Sequence, residues 1–138
     1  MSKVAVIYWS GTGNTQAMAE AVAEGAKEKG AEVDLLTPAD VSDVSAYDAV
    51  ALGCPAMGAE ELEDSEFVPA LENIEGALAA KKVALFGSYG WGDGEWMRSW
   101  EARCQEKGIA LAAASVIVNE APDDEGVANC KVLGAAIA

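Results

Sequence analysis

One stretch of the sequence decides the fold class: Val4-Ala5-Val6-Ile7-Tyr8-Trp9-Ser10-Gly11-Thr12-Gly13-Asn14-Thr15. Its first five residues are uncharged and rich in β-branched side chains, which is typical of a strand buried inside a parallel sheet. A glycine-rich turn follows, and a helix is predicted from Asn14 to Lys29, because apolar residues recur there every four positions. Gly30 is expected to end that helix. A strand, a tight turn and a helix in this order form the first part of a unit that builds parallel sheets.

The same alternation of strand and helix continues along the chain. Further strands are predicted at Ala31–Leu36, Asp48–Gly53, Lys82–Phe86 and Ile109–Val118. Further helices are predicted at Phe67–Leu78, Glu95–Lys107 and Glu125–Ala138. The pattern indicates an α/β fold, a doubly wound five-stranded parallel sheet of order 2-1-3-4-5 with helices on both faces. Ligands of such sheets bind beyond the carboxyl ends of the strands, beside the switch point between strands one and three.

Composition narrows the possible functions. A length of 138 residues fits one domain spanning residues 1–138, and a net charge of −14 argues against nucleic-acid or anionic-membrane partners. The absence of histidine excludes Ser-His-Asp and Cys-His catalysis and histidine metal sites. The cysteines, Cys54, Cys104 and Cys130, are widely spaced, which favours reduced thiols and a cytoplasmic protein. No apolar run is long enough for a transmembrane helix, and only three residues precede the first strand, so no signal peptide is expected.

The loop after the first predicted strand, Ser10–Thr15, combines two glycines with small hydroxyl and amide side chains. Backbone N–H groups at the start of a helix bind phosphate, and glycines let the backbone approach an anion closely. The loop is not a dinucleotide fingerprint, because the third glycine is missing, and it lacks the lysine of a P-loop. Any phosphate here would be held without a cation, as suits a terminal phosphomonoester. An ordinary strand-to-helix turn with a Thr or Asn cap is the alternative interpretation.

Two further loops carry residues that core packing explains poorly. Met57 follows the third predicted strand at a loop tip beside Gly58, where a polarisable thioether would suit a flat aromatic ligand. Trp91 follows the fourth strand between Gly90 and Gly92, where an indole would suit stacking on a planar ring. For Met57, a surface residue folded onto its neighbours is the alternative. Trp9 is expected to pack near the phosphate loop in a supporting role.

Together these loops resemble those of the flavodoxins, in particular the short-chain flavodoxins of anaerobic bacteria. The matching motifs are Val6–Thr15, Leu52–Gly58, Ala84–Gly92 and Asn119-Glu120, and the resemblance covers essentially the whole chain. It implies a flavodoxin-like fold and FMN as a tightly held, non-covalent cofactor. Pro55 departs from the pattern of some relatives, which carry a small polar residue there, and it is assigned no role.

The resemblance also implies a role for each matching position. The FMN phosphate would be held by the side chains of Ser10, Thr12, Asn14 and Thr15 and by the backbone of Gly11 and Gly13. Met57 and Trp91 would enclose the flavin ring from its two faces, and Glu60 would accept from flavin N3–H. The carbonyl of Met57–Gly58 would accept from N5–H after one-electron reduction. The backbone around Ser88, Tyr89 and Asn119 would contact the pyrimidine and ribityl parts, and Ala56 and Gly90 are also expected to bind the cofactor.

The implied function is that of a low-potential one-electron carrier, which is not an enzyme and which cycles mainly between the semiquinone and hydroquinone of FMN. The surrounding charge fits this function, because no Lys or Arg occurs between Gly30 and Ala80 and acidic residues crowd the same loops. These acids would disfavour an anionic reduced flavin and attract basic-surfaced redox proteins, such as oxidoreductases that also use ferredoxin. The acids beside the loops are Glu60, Glu61, Glu63, Asp64, Glu66, Asp93, Glu95, Glu120, Asp123, Asp124 and Glu125.

Two other functions on this topology deserve comparison. An FMN-dependent NAD(P)H:quinone reductase is the alternative, although a tryptophan over one flavin face and an acidic surface work against a dinucleotide phosphate. A phospho-acceptor receiver domain would need acidic residues where Ser10-Gly11 and Gly53-Cys54 stand. The protein is expected to be a monomer without nucleic-acid or membrane partners.

Overall fold

Five parallel strands form one sheet in the structure, a computed structural model that describes residues 2–41, 43–58, 61–90 and 92–138. The strands are β1 Lys3–Tyr8, β2 Glu32–Leu36, β3 Ala49–Gly53, β4 Lys82–Tyr89 and β5 Val116–Asn119. Their order is β2-β1-β3-β4-β5, and the four pairings between them are parallel. The α/β fold and the order 2-1-3-4-5 are therefore confirmed, and the switch point lies between β1 and β3.

Four helices connect and cover these strands. They are α1 Asn14–Glu28, α2 Phe67–Leu78, α3 Glu95–Glu106 and α4 Asp124–Ile137. The predicted bounds of α2 are confirmed, and those of the other helices differ by one residue at one or both ends. Within the described ranges, none of the helices is long and apolar enough to cross a membrane.

Alternate residues of the central strands pack against different helix layers. Leu52 and Leu85 lie on the face covered by α2 and α3, whereas Ala51 and Phe86 lie on the face covered by α1 and α4. All four side chains are at most 1% exposed. Strands buried on both faces explain the uncharged runs in the sequence, and helices on both faces are confirmed.

Helices α1 and α4 cross at short distance because each has a glycine at the crossing. A Cβ at Gly25 would lie 2.0 Å from the carbonyl oxygen of Lys131, and one at Gly134 would lie 2.0 Å from that of Val22. A distance this short is sterically forbidden, so both positions need glycine. The tight crossing packs α1 and α4 together on the same face of the sheet.

The bounds of two strands, β4 and β5, were predicted wrongly, and those of β1, β2 and β3 differ by one residue at the start. The fifth strand was expected over Ile109–Val118, but β5 covers only Val116–Asn119, and Leu111 forms an isolated bridge to Val83. The preceding segment is rich in alanine, which has low β-propensity. Strand β4 continues three residues beyond the predicted Phe86, because the pairing with β5 runs from Phe86–Val116 to Tyr89–Asn119. Ser88, expected in a loop, is therefore a strand residue with a defined direction.

Candidate cofactor-binding site

A cavity of about 470 Å³ lies at the carboxyl ends of β1, β3 and β4. We call it the strand-end cavity. Its size is within the range of small-molecule sites, and its position beside the β1–β3 switch point is the one predicted for a ligand. None of the described residues that line it is Lys or Arg. The lining residues are Trp9, Gly11, Thr12, Asn14, Pro55, Ala56, Met57, Ser88, Tyr89, Gly90, Glu120 and Ala121.

The loop from Ser10 to Thr15 presents backbone and hydroxyl groups at the start of α1. The Ser10 Oγ accepts from the N–H of Gly13 at 3.1 Å and from that of Gln16 at 3.3 Å, which fixes the turn. Gly13 has a φ of 95°, a left-handed conformation that favours glycine. The first turn of α1 has no acidic residue to repel an anion. The loop is therefore built to receive an anion by dipole, N–H and O–H groups, without a cation.

Trp9 has a larger place in the site than the sequence suggested. Its indole lines the cavity, and its Nε1–H donates to Glu66 Oε1 at 3.1 Å. A Cβ at Gly11 would lie only 3.1 Å from the Trp9 ring, so loop and indole are in close contact. Trp9 lies between the end of β1 and the glycine-rich loop. This position in the sequence was the signal that could have indicated its place in the cavity wall.

The loop after β3 is held by backbone hydrogen bonds to neighbouring segments. The N–H of Ala56 donates to the Ser88 carbonyl at 3.0 Å, and that of Met57 donates to the Glu61 carbonyl at 3.0 Å. Both Ala56 and Met57, which are predicted cofactor contacts, line the cavity. Gly58 is next to the lining residues, and space is open where its Cβ would be. Glu60, a predicted flavin contact, lies outside the described residues.

The ends of β4 and β5 complete the cavity wall. Ser88, Tyr89 and Gly90 line it, whereas the predicted Trp91 lies outside the described residues. The Tyr89 carbonyl accepts from the N–H of Glu120 at 2.7 Å and from the Asn119 side chain at 3.3 Å. Asn119 thus organises the wall, and its neighbour Glu120, with a φ of 59°, lines the cavity. Glu120 and Ala121 were not predicted as lining residues, although they follow directly on Asn119.

Two predicted cofactor residues are buried against each other. The hydroxyl oxygens of Thr15 and Ser88 are 3.0 Å apart, and the two residues are 1% and 4% exposed. Thr15 is in the first turn of α1, while Ser88 is near the end of β4. This hydrogen bond joins the end of the Ser10–Thr15 loop to β4.

The cysteines have no part in the cavity lining. Cys54, at the end of β3, is fully buried, and burial raises the pKa of its thiol to about 12. Its Sγ accepts from the N–H of Glu63 at 3.3 Å, and its carbonyl accepts from Trp96 Nε1 at 3.1 Å. A thiol with this pKa is protonated at neutral pH and is a poor nucleophile. Trp96 is 1% exposed, which confirms that it belongs to the core.

Glu63 differs from the other acids that were grouped around the cavity. It is 5% exposed, and its carboxylate accepts from the backbone N–H groups of Ser65, Glu66 and Phe67 at 2.8–2.9 Å and from the Ser65 hydroxyl. Burial by itself raises the pKa of Glu63, but these hydrogen bonds outweigh it and lower the pKa from 4.5 to about 2. The side chain anchors the start of α2 and is not part of a solvated acidic surface.

A slightly larger cavity, of about 490 Å³, lies between the 61–64 segment, α2 and α3. Its cation, Arg103, is already paired with the buried Glu75 at 2.6 and 2.9 Å. That hydrogen-bonded pairing raises the pKa of Arg103. The strand-end cavity is the better ligand site, because its polar groups converge from three loops at the switch point. Among the described residues, no cluster of side chains could hold a metal ion.

The strand-end cavity has two chemically different ends. Thr12 and Asn14 line it at the start of α1, and Met57 and Tyr89 supply apolar surface from the loop after β3 and the end of β4, with the Trp9 indole beside Gly11. An anionic group on a flat, largely apolar ring matches this arrangement. Ser10, Gly13, Thr15 and Asn119 are not among the lining residues, but each is next to a lining residue in the chain.

Known proteins match this chain over nearly its whole length. The family model described as Flavodoxin matches residues 6–132. A flavodoxin of Megasphaera elsdenii is 49% identical over 137 residues, covering 98% of each chain, and one of Clostridium beijerinckii is 47% identical over 135 residues, covering 96% of this chain and 97% of its own. The solution structure of two-electron reduced M. elsdenii flavodoxin superimposes with a TM-score of 0.87 at 46% identity, covering 97% of each chain. The chain belongs to the flavodoxin family, whose members are electron carriers that bind FMN and exchange electrons with oxidoreductases.

Proposed function

We propose that residues 1–138 form a single FMN-binding domain that carries one electron at a time at low potential and has no substrate of its own. The observation that carries this proposal is the strand-end cavity, which joins a cation-free anion loop to an apolar wall. Bound FMN would supply a ring that accepts and releases single electrons. The protein supplies the binding groups, the exclusion of water and the surrounding charge.

The donor set at the anion end fits a phosphate monoester. We assign it to the side chains of Ser10, Thr12, Asn14 and Thr15 and to the backbone of Gly11 and Gly13. A monoester is an acceptor at each of its oxygens, and these groups are N–H and O–H donors. Pro55 lines the same cavity but has no N–H to donate, so the loop after β1 provides the donors.

The ring end is assigned to the three remaining loops. Met57 and Trp91 would cover the two faces of the flavin, and Glu60 would hold the N3 proton. The other groups at this end are Ala56, Gly58, Ser88, Tyr89, Gly90 and Asn119. Side chains on both faces exclude water from the ring, which makes added negative charge more costly.

Acidic residues near the cavity act in the same direction. Glu61, Asp64, Glu66 and Glu120 are exposed. A carboxylate about 10 Å from the ring costs roughly 0.8 kcal/mol for an added electron at an effective dielectric of about 40, equivalent to about 35 mV. Several such charges lower the potential together, although salt screens each of them.

Replacing Gly58 with threonine should bring the two one-electron potentials of the bound flavin closer together. Rotation of the Met57–Gly58 peptide would turn its carbonyl to hold a proton at flavin N5. The same rotation would move the φ of residue 58 into the left-handed region. Open space at Gly58 admits a side chain in the present conformation, but a β-branched residue resists the rotated one by roughly 1–2 kcal/mol, or about 40–90 mV. A redox titration that gave unchanged potentials would contradict this role of Gly58.

Replacing Trp91 with alanine should weaken FMN binding and shift the second one-electron potential. Loss of one aromatic contact costs about 0.5–1.5 kcal/mol, which corresponds to roughly a threefold to tenfold rise in the FMN dissociation constant. Trp91→Phe keeps a ring and is the matched control. Equal FMN affinity and potentials in all three proteins would remove Trp91 from the site.

The partners we propose are oxidoreductases with basic surfaces, including those that also use ferredoxin. The net charge of −14 would steer such proteins toward the cavity and repel a second copy of this chain, consistent with a monomer. A cytoplasmic location fits three buried free cysteines. Association with such partners should weaken steeply as ionic strength rises.

One experiment separates this function from its alternative. The purified protein is mixed with FMN and followed by visible spectroscopy during stepwise reduction, and its oxidation of NADH and NADPH is then measured with a quinone present. We expect the spectrum of a bound flavin that is reduced in two separate one-electron steps. We expect no steady-state oxidation of NADH or NADPH. Sustained turnover would instead establish an NAD(P)H:quinone reductase, and failure to bind FMN would refute both functions.

A further inference from the structure

Ser88 occupies a position where the sheet would ordinarily place an apolar side chain. Even-numbered residues of β4 face α1 and α4, and its neighbours on that face, Ala84 and Phe86, are completely buried. Ser88 is only 4% exposed on the same face, so its hydroxyl needs a hydrogen-bond partner. That partner is Thr15, whose Oγ1 is 3.0 Å away.

Proton counting limits what this pair can do. Each hydroxyl has one proton to donate and can accept through its oxygen. Whichever hydroxyl donates within the pair has used its proton, and only the other hydroxyl can donate to a ligand. Thr15 and Ser88 therefore cannot both donate to bound FMN while their hydrogen bond persists.

The surroundings favour one direction of this hydrogen bond. Thr15 is in the first turn of α1, at the anion end, where a phosphate that only accepts would require the Thr15 proton. Ser88 is fixed from the other side, since its carbonyl accepts from Ala56 N–H at 3.0 Å and its residue pairs with Val118 in the sheet. A backbone held in this way keeps the Ser88 Cβ, and with it the hydroxyl, within reach of Thr15.

We propose that the Ser88 hydroxyl donates to Thr15 Oγ1 and thereby directs the Thr15 proton toward the phosphate of FMN. This inference rests on the proposed function, and it makes Ser88 a positioning residue for the phosphate. Ser88 then contributes to selection of FMN over riboflavin, which has the same ring and ribityl chain but no phosphate. A different role for Ser88 was predicted from the sequence, contact with the pyrimidine or ribityl part of FMN. A hydroxyl contact of that kind would require Thr15 to donate to Ser88 instead.

The test compares dissociation constants for FMN and riboflavin in the full-length protein freed of flavin. Ser88→Ala should weaken FMN binding on the order of tenfold, the range for one hydrogen bond to a charged group, and leave riboflavin binding within about twofold. Thr15→Val should have at least the same effect on FMN. Adding Ser88→Ala to Thr15→Val should cause no further loss, because the proton that Ser88 directs is then absent.

Three controls separate positioning from a general loss of structure. Ser115 directly precedes β5, and its hydroxyl donates to Glu101 Oε2 at 2.7 Å. Ser115→Ala removes this hydrogen bond and should leave the dissociation constants for FMN and riboflavin unchanged. Thr15→Ser keeps the hydroxyl and should restore FMN binding. If Ser88→Ala fails to fold, Ser88→Cys keeps the shape of the side chain, at a somewhat larger volume, with a much weaker donor and should show the same selective loss.

The outcomes are distinct. An equal loss of FMN and riboflavin in Ser88→Ala, or an undiminished loss in the Thr15→Val background, would overturn the inference and leave the proposed function intact. Failure of the unaltered protein to bind either flavin would overturn the proposed function and the inference with it.

Discussion

Replacing Gly87 with alanine is expected to lower the free energy of unfolding by about 3 kcal/mol, the upper part of the range for overpacking a well-packed interior. A Cβ at this position would lie 2.2 Å from the carbonyl oxygen of Cys54 and 3.1 Å from the Trp96 ring. The first contact is with backbone that cannot rotate away. Either β3 and β4 separate locally, or the Cys54 carbonyl moves and loses its hydrogen bond from Trp96 Nε1.

The same substitution should weaken FMN binding by on the order of tenfold, which corresponds to about 1.4 kcal/mol. Cys54 leads directly into Ala56 and Met57, which line the cavity, and Ser88 follows Gly87 in β4. A shift between Cys54 and residue 87 therefore displaces two parts of the cavity wall, the loop after β3 and the end of β4. Thermodynamic stability is measured by urea unfolding, and affinity by flavin titration of the folded fraction.

Gly76→Ala is the matched control for this prediction. Gly76 is inside α2, and nothing lies within 4 Å of the position where its Cβ would be. Alanine is favoured over glycine in a helix interior by about 1 kcal/mol, so this variant should be more stable than the original protein. Similar stabilities for Gly87→Ala and the original protein would show that the β3–β4 contact is looser than described.

Strand–helix alternation was sufficient to predict the sheet order, because right-handed crossovers leave few ways to connect five parallel strands. It was insufficient for β5, where residues 110–114 are apolar but lack the β-branched side chains that distinguish a strand. The end of β4 was missed for a different reason. Glycines around Ser88 and Tyr89 resemble a loop in sequence, and only pairing with β5 makes them strand.

The site was predictable where the signal was local. Gly11, Thr12 and Asn14 form one contiguous motif, and the structure places them on the cavity wall. The Thr15–Ser88 hydrogen bond joins residues 73 positions apart, so no local pattern could indicate it. Glu63 was grouped with its acidic neighbours for a different reason: its hydrogen-bond donors are only two to four residues away, but its burial is a property of the folded chain.

Replacing Glu63 with glutamine is expected to cost about 3 kcal/mol of stability at neutral pH, since the pKa shift from 4.5 to about 2 corresponds to that much preferential stabilisation of the charged form. The amide has a single acceptor oxygen, and its NH₂ group would face N–H groups that now donate to the carboxylate. At the start of α2, the backbone N–H groups of Ser65, Glu66 and Phe67 would no longer all have an acceptor.

The pH dependence distinguishes this carboxylate from a merely well-packed side chain. Its pKa is lower in the folded than in the unfolded chain, so its contribution is fully present above about 4.5 and is lost as the pH falls toward 2. The stability difference between the original protein and Glu63→Gln should therefore shrink from about 3 kcal/mol at neutral pH to roughly half of that near pH 3. Asp64→Asn, at an exposed neighbour, is the control and should change stability by less than about 0.5 kcal/mol. A difference that stayed constant with pH would mean that Glu63 stabilises the fold by shape alone, and that its hydrogen bonds do not favour the ionised form.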